Sequence, residues 1–236
     1  YIMNEIYSLP GVYFVEPSYK LEVKKGSNDP LFVDGELWGL NGTNGVKAND
    51  AWDITTGSKD VRVGIIDTGI LEHEDLVGNL TSGWNVYSNS NITNNDKNGH
   101  GTHVAGIIGA EGNNNIGITG VNQNVSLVSL RINPTNLGYS FASHLILAVD
   151  YATSTGIKVL NNSNGTDSFT GSGSDINALK TAIANYPGLF VTSAGNGNKN
   201  NDLNNGRFPS NIALDNLISV GSLDQNNQKS SFSNYG

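Results

Sequence analysis

From Asp60 onward, short runs of consecutive apolar residues alternate with stretches of helical character, and that alternation leaves few folds open. The runs are "DVRVGIID" (60–67), "VSLVSLRI" (125–132), "IKVLNNS" (157–163), "GLFVTSAGN" (188–196) and "NLISVGS" (216–222). Between them, "HVAGIIGA" (103–110), "SFASHLILAVDYATSTG" (140–156) and "SDINALKTAIANYPG" (174–188) read as helices, the second closed by Gly156. Strands that are apolar on successive positions are buried on both faces, which a parallel sheet covered by helices provides. The expected class is therefore α/β, a largely parallel sheet with helices on both faces. At 236 residues the chain can bury the core of one large domain. No internal repeat is visible.

The first 25 residues differ in character. A turn at Pro10-Gly11, a short strand from Val12 to Val15 and an alternating segment are expected there. The polar breaker cluster "KKGSNDP" (24–30) then reads as a linker, covering residues 26–36. "TDSFTGSGSD" (166–175) reads as a surface loop.

Charge and composition exclude several functions. Asp and Glu number 21 against 13 Lys and Arg, a formal charge of -8, and no basic run offsets it. A nucleic-acid or anionic-membrane partner is not expected. The chain has no cysteine, which removes disulfides, thiolate metal sites and a cysteine nucleophile. No apolar stretch approaches the roughly 20 residues of a membrane span. Only 14% of residues are charged, with Asn, Ser, Thr and Gly abundant, a balance that fits an extracellular enzyme. Triplets such as Asn41-Gly42-Thr43 and Asn91-Ile92-Thr93 are chance matches to a glycosylation signal in so asparagine-rich a chain. Tyr1 opens no signal-peptide pattern, so a removed signal or a piece of a longer chain is expected. No Gly-rich phosphate loop follows a strand, and no Gly-X-Ser-X-Gly elbow occurs.

In open parallel sheets, ligands bind beyond the carboxyl ends of the strands. Asp67 and Ser163 end strands, and Asn196 lies just past a third. His100 precedes a small-residue helix, where a lone histidine is ordinarily a surface or capping residue. A helix start disfavours an imidazolium, so the position also suits a general base with a carboxylate to orient it. His100 and His103 lie one turn apart, yet "HGTH" lacks the acid and the i, i+4 spacing of a helical zinc motif. His103 is expected to be buried and hydrogen-bonded.

"VRVGIIDTGI" with Asp67, "NGHGTHVAG" with His100 and "VTSAGNG" with Asn196 occur in that order. Together they resemble the subtilisin-like serine proteases, the subtilase family, from about Leu37 to Gly236. The resemblance implies a three-layer α/β domain and a serine endopeptidase working through an acyl-enzyme. Asp67 would orient the histidine, His100 would serve as base and then acid, and Asn196 would donate to the oxyanion. Ser163 and Gly165 of "NNSNG" match the family's substrate-binding strand. Asn164 stands where the family often has a bulky apolar residue. Gly138, Tyr139 and Ser140 of "LGYS" would supply the opposing strand. "GNNNIGITG" (112–120) resembles the family's calcium loop, implying Ca²⁺ held by Asp75, the Asn114 side chain and the carbonyls of Gly112, Ile116 and Ile118.

The family's nucleophile stands in Gly-Thr-Ser-Met-Ala, a string absent from residues 1–236. It is expected beyond Gly236, so the catalytic domain (37–236) is expected to be incomplete at its C-terminus and inactive by itself. Ser231 and Ser233 are not candidates, because "QKSSFSNYG" resembles an earlier approach strand and turn. "LPGVYFVEPSY" resembles the last strand of the family's propeptide, so residues 1–25 are expected to be a propeptide remnant, cut near Gly26 to Asp29. A non-catalytic peptide-binding module with the same fold is the alternative.

Overall fold

A computed structural model describes residues 2–17, 26–91, 95–134, 139–167, 174–203 and 206–236. Four short helices come first, α1 (Ile2–Tyr7), α2 (Pro30–Val33), α3 (Trp38–Asn41) and α4 (Ala48–Trp52). They are followed by β1 (Gly57–Asp67), β2 (Leu80–Asn85), α5 (His100–Gly109), β3 (Asn124–Arg131) and α6 (Ala142–Thr155). β4 (Val159–Asn162), α7 (Ser174–Asn185), β5 (Leu189–Ser193) and β6 (Leu217–Val220) complete the order.

The six strands form one sheet in the order β2-β3-β1-β4-β5-β6, and every pairing is parallel. After β1 the chain runs out to the edge strand β2, returns through β3 beside β1, then crosses to β4 on β1's other side. β1 therefore sits at the switch point, where such sheets open a crevice at their carboxyl end. The register places Asp67 opposite Arg131, and Ile66 opposite Asn162.

Consecutive side chains of a strand point to opposite faces, so Ile65 and Ile66 enter different cores. Ile65 joins Val63, Leu127, Val125, Ile70 and Leu76 against Ala105 of α5. Ile66 joins Val128, Leu130, Leu160 and Phe190 against Leu145, Ala148 and Val149 of α6 and Leu179 and Ile183 of α7. Helices thus cover both faces, as the alternation predicts. α6 stops at Gly156, whose φ of 71° is left-handed and whose amide returns to the carbonyls of Ala152 and Thr153.

Two local expectations need correction, and one strand was not foreseen. Residues 12–15 form no strand: the turn closes from the Val12 amide to the Leu9 carbonyl at 3.2 Å, and Tyr13 and Phe14 are exposed beyond it. Among the described residues no neighbouring strand pairs their backbone. The rest of that segment, 18–25, falls outside the described residues. Residues 26–36 are not a free tether. Asp29 is fully buried and accepts the amides of Asn113, Asn114 and Asn115 at 2.8–3.1 Å, while the Leu31 amide reaches the Gly117 carbonyl. Finally, β2 escaped the sequence reading, since this edge strand is "LTSGWN", neither continuously apolar nor cleanly alternating.

At the other edge, β6 pairs with β5 alone among the described residues, and Ile218 and Val220 are exposed. The terminal "QKSSFSNYG" folds as turns with isolated bridges, Leu223 to Lys229 and Asn200 to Tyr235. Of "TDSFTGSGSD", residues 168–173 fall outside the described residues. Among the described residues no helix is long and apolar enough to cross a membrane.

Candidate active site

The end of β1 meets the start of α5. His100 Nδ1 lies 2.8 Å from Asp67 Oδ1 and 2.9 Å from Oδ2. The Asp67 carboxylate also accepts the Thr68 amide at 2.8 Å. Asp67 is buried, at 2% exposure, whereas the His100 side chain is 53% exposed. One edge of the imidazole is thus held by a buried carboxylate while the ring faces the open end of the sheet. That arrangement fixes a donor at Nδ1 and suits Nε2 to take and return a proton.

The helix start is built to hold this position. Its first four amides, which no helical carbonyl can serve, all find acceptors. Gly99 donates to Asp96 Oδ1 at 2.9 Å, His100 to Asn98 Oδ1 at 3.3 Å, Gly101 to Thr68 Oγ1 at 3.0 Å and Thr102 to Asp96 Oδ2 at 3.0 Å. The helical ladder then opens with the His103 amide on the Gly99 carbonyl at 3.0 Å. Asp96 Oδ1 further accepts the Asn98 amide, and the Thr102 hydroxyl donates to Oδ2 at 2.6 Å. Burial pushes the Asp96 carboxyl up, but bonds from the Thr102 hydroxyl, the Gly99 and Thr102 amides and the Thr68 hydroxyl outweigh it and hold the group below its usual range. Gly101 is needed for close approach: a Cβ there would strike the Gly69 carbonyl and come within 3.1 Å of the Asp67 Cβ.

Asp67 and His100 open on a cavity of about 430 Å³. Ser163, Asn164 and Gly165 line it from the end of β4, and Tyr139 and Ser140 from the segment before α6. Gly138 falls outside the described residues. Tyr139 and Ser140 belong to no strand, and they approach the cavity as irregular chain. The Asn164 side chain is committed to the end of β1: its amide donates to the Ile66 carbonyl at 2.9 Å, while the Asn164 carbonyl accepts Asn162 Nδ2 at 2.8 Å. An asparagine here bonds the end of β1 instead of forming an apolar wall.

Asn196 lies three residues past β5, on the same carboxyl edge, and is exposed. It is not among the residues lining the cavity. His103 corrects a further expectation, being exposed instead of buried. The buried positions of α5 are Gly101, Ala105, Gly106 and Gly109, and at 3.6 residues per turn position 103 faces away from them. Ser233 is occupied elsewhere, accepting the Ser222 amide and donating to the Asn234 carbonyl.

A second set of residues named from the sequence meets at the loop after α5. Asp75 Oδ1 accepts Asn114 Nδ2 at 2.9 Å, and Oδ2 accepts the Ile118 amide at 2.9 Å. Asp29 binds the same loop from the other side through Asn113, Asn114 and Asn115. Both carboxylates are buried, and neither forms an ion pair among the described residues. The carbonyls of Gly112, Ile116 and Ile118 accept no hydrogen bond among the described residues. Two buried anions beside uncommitted carbonyl oxygens make an oxygen-only donor set, which fits a hard cation such as Ca²⁺. No cluster of three or more His, Asp or Glu side chains is poised for a metal among the described residues.

Four contributors escaped the sequence reading: Thr68, Asp96, Asp29 and Arg207. Asp96, four positions before the first helical residue, carries a readable signal, since Asp before a helix start is a capping residue. Arg207, which lines the cavity from a turn-rich segment, carries none.

The subtilase family model matches residues 58–236. The thermophilic serine proteinase of Bacillus sp. (strain AK1) is 33% identical over 239 residues, covering 100% of this chain and 55% of that protein. Thermitase of Thermoactinomyces vulgaris is 36% identical over 213 residues, covering 89% of this chain and 70% of that protein. The chain thus spans little more than half the length of the first of these relatives. Among solved structures, a protease from Pseudoalteromonas arctica PAMC 21717 superposes with a TM-score of 0.70 at 26% identity, over 89% of this chain and 69% of the other.

Proposed function

The chain belongs to the subtilase family of subtilisin-like serine proteases, and on that premise we propose that it carries two members of an Asp-His-Ser triad, Asp67 and His100, of a secreted or cell-surface endopeptidase. The observation that carries this reading is the 2.8 Å bond between His100 Nδ1 and Asp67 Oδ1 at the mouth of a cavity lined by Ser163–Gly165.

His100 Nε2 takes the proton of a serine hydroxyl as its oxygen attacks the scissile carbonyl, and Asp67 stabilises the imidazolium so formed. The same proton passes to the leaving amine, the peptide bond breaks, and an acyl-enzyme remains. Water then repeats the sequence, with His100 first base and then acid, releasing the acid product. No Gly-Thr-Ser-Met-Ala string occurs in residues 1–236, so the serine comes from outside them and these residues alone are inactive. Asn196 donates its side-chain amide to the oxyanion, a contribution worth about 10²–10³ in turnover at such a position. The substrate lies extended along Ser163–Gly165, with Tyr139 and Ser140, preceded by Gly138, on its other side. With Asn164 tied to β1, the preference does not rest on a large apolar wall at that residue.

Calcium fits the loop at 112–118. Asp75, Asn114 and the carbonyls of Gly112, Ile116 and Ile118 would hold it, and its charge would offset the buried carboxylates and fasten the loop. Residues 1–25 act as a propeptide remnant. Maturation cuts near Gly26 to Asp29, and the anchoring of Asp29 on this loop supports a cut at the early end of that stretch.

A fluorophosphonate probe tests the triad. Residues 1–236 are expected to stay unlabelled, while the protein carrying the serine labels and its His100→Ala variant does not. Stoichiometric labelling of residues 1–236, or labelling indifferent to His100→Ala, overturns the reading. A serine-bearing protein that binds peptides yet never labels would be the non-catalytic binding module instead.

A further inference from the structure

We propose that the cavity beside the His100–Asp67 pair selects a substrate with an acidic side chain, whose carboxylate meets the Arg207 guanidinium. The inference rests on the reading of that cavity as the substrate cleft.

Arg207 and Asp67 are the charged residues among those lining the cavity, and the Asp67 carboxylate is already committed to His100 and the Thr68 amide. Arg207 is therefore the permanent cation available to a ligand. Its position is set from three sides. The Arg207 amide donates to Asn201 Oδ1 at 3.0 Å, and Phe208 next to it bridges Thr166 antiparallel. The side chain runs between two glycines: a Cβ on Gly165 would come within 2.8 Å of Nε, and a Cβ on Gly195 would strike Cδ. Gly165 follows β4 and Gly195 follows β5, so the guanidinium is set between two strand ends on the carboxyl edge of the sheet, where this fold binds ligands.

The hydrogen-bonding state of this arginine is incomplete. Nη1 donates to Asp167 Oδ1 at 3.0 Å, and Asp167, which does not line the cavity, holds it from behind. Nε is buried with no acceptor, and Nη2 donates to no described residue. Nε is closed off between Gly165 and Gly195, so Nη2 is the guanidinium donor left for an entering carboxylate, one charge-assisted bond on a permanently charged group. Asp167 does not cancel the charge, because Lys199 Nζ shares it at 3.6 Å from Oδ2. Two cations on one carboxylate leave a net positive locus. A lysine or arginine side chain entering here would meet like charge, and an apolar one would leave the donors unanswered.

The test uses labelled peptide amides identical except for one residue, Glu, Gln, Lys or Phe, titrated into the chain by fluorescence anisotropy. The imidazole resonances of His100, followed by NMR, report entry into the cleft. The Glu peptide is expected to bind tighter than the Gln peptide by about tenfold or more, the scale of one charge-assisted bond. Arg207→Gln should erase that difference while leaving Gln-peptide binding in place. Should that variant fail to fold, the comparison of Glu with Gln on the unaltered chain decides alone. Asp167→Asn, which removes the competing carboxylate, should keep or enlarge the preference. Equal binding of Glu and Gln peptides, with His100 shifted by both, overturns the role of Arg207 and leaves the cleft reading standing. If no peptide shifts His100, the cleft reading falls and this inference with it.

Discussion

The Thr68 hydroxyl accepts the Gly101 amide at 3.0 Å, tying together the residues that directly follow Asp67 and His100. The hydroxyl also supports the Asp96 carboxylate, so a single side chain locks β1 to the first turn of α5. Thr68→Val keeps the shape but strands the Gly101 amide, at a cost of about 1–3 kcal/mol in unfolding free energy. Denaturant unfolding measures that loss, and Thr68→Ser should restore most of it. A Thr68→Val protein as stable as the parent would show that the tie carries no weight.

Gly101→Ala tests the close approach directly. The added methyl meets the Gly69 carbonyl, a backbone atom that cannot swing aside. Overpacking of this kind costs about 1–3 kcal/mol, and the helix start must shift to relieve it. The Nδ1 proton of His100, expected as a downfield NMR signal protected by Asp67, should broaden or vanish in the variant. An unchanged signal and an unchanged denaturation midpoint would refute the steric argument.

Asp67→Asn separates orientation from packing. In the protein that carries the serine, turnover should fall on the order of 10⁴-fold, because the amide no longer stabilises the imidazolium or selects its tautomer. Peptide binding by the cleft should change little. Retention of most of the turnover would remove Asp67 from the mechanism.

Asp96 makes the active-site end of α5 sensitive to acid. Its folded-state carboxyl titrates below the ordinary value of 3.8, so the unfolded chain binds the proton first as pH falls. The stabilisation is present above that ordinary value and disappears as pH drops through the lower folded-state value. Asp96→Asn should therefore be less stable than the parent near neutrality, by about 1 kcal/mol for a weakened cap, and the gap should narrow in acid. Urea unfolding across pH follows it, and a gap that widens in acid would reverse the assigned sign.

Calcium should stabilise the folded chain by binding it in preference to the unfolded one. EDTA is expected to lower the melting temperature, and Asp75→Asn should abolish that response. Identical melting curves with and without chelator would remove the site.

The layers of the fold were legible because burial on both faces leaves a continuous apolar signature, as in "VGII" before Asp67. β2 was not, since an edge strand half in contact with solvent needs no such run. Asp67 and His100 announced themselves by motif alone: they are 33 positions apart, and no periodicity predicts that β1 and α5 bring them within 2.8 Å. His103 shows the limit of motif reading. Gly101 and Ala105, two positions to either side, are buried, yet the helical phase turns position 103 outward, as it does Ile107. Arg207 and Asp29 were invisible because their roles come from long-range packing, one between two glycines and the other beneath an asparagine-rich loop.

The edge strand β6 carries a consequence for the molecule in bulk solution. One row of its backbone donors and acceptors meets no strand among the described residues, and Ile218 and Val220 flank that row in the open. A bare, apolar margin of this kind templates another polypeptide's strand. Residues 1–236 by themselves, when concentrated, would accordingly gather into sheet-extended aggregates, and a lysine in place of Ile218 would keep the molecules apart.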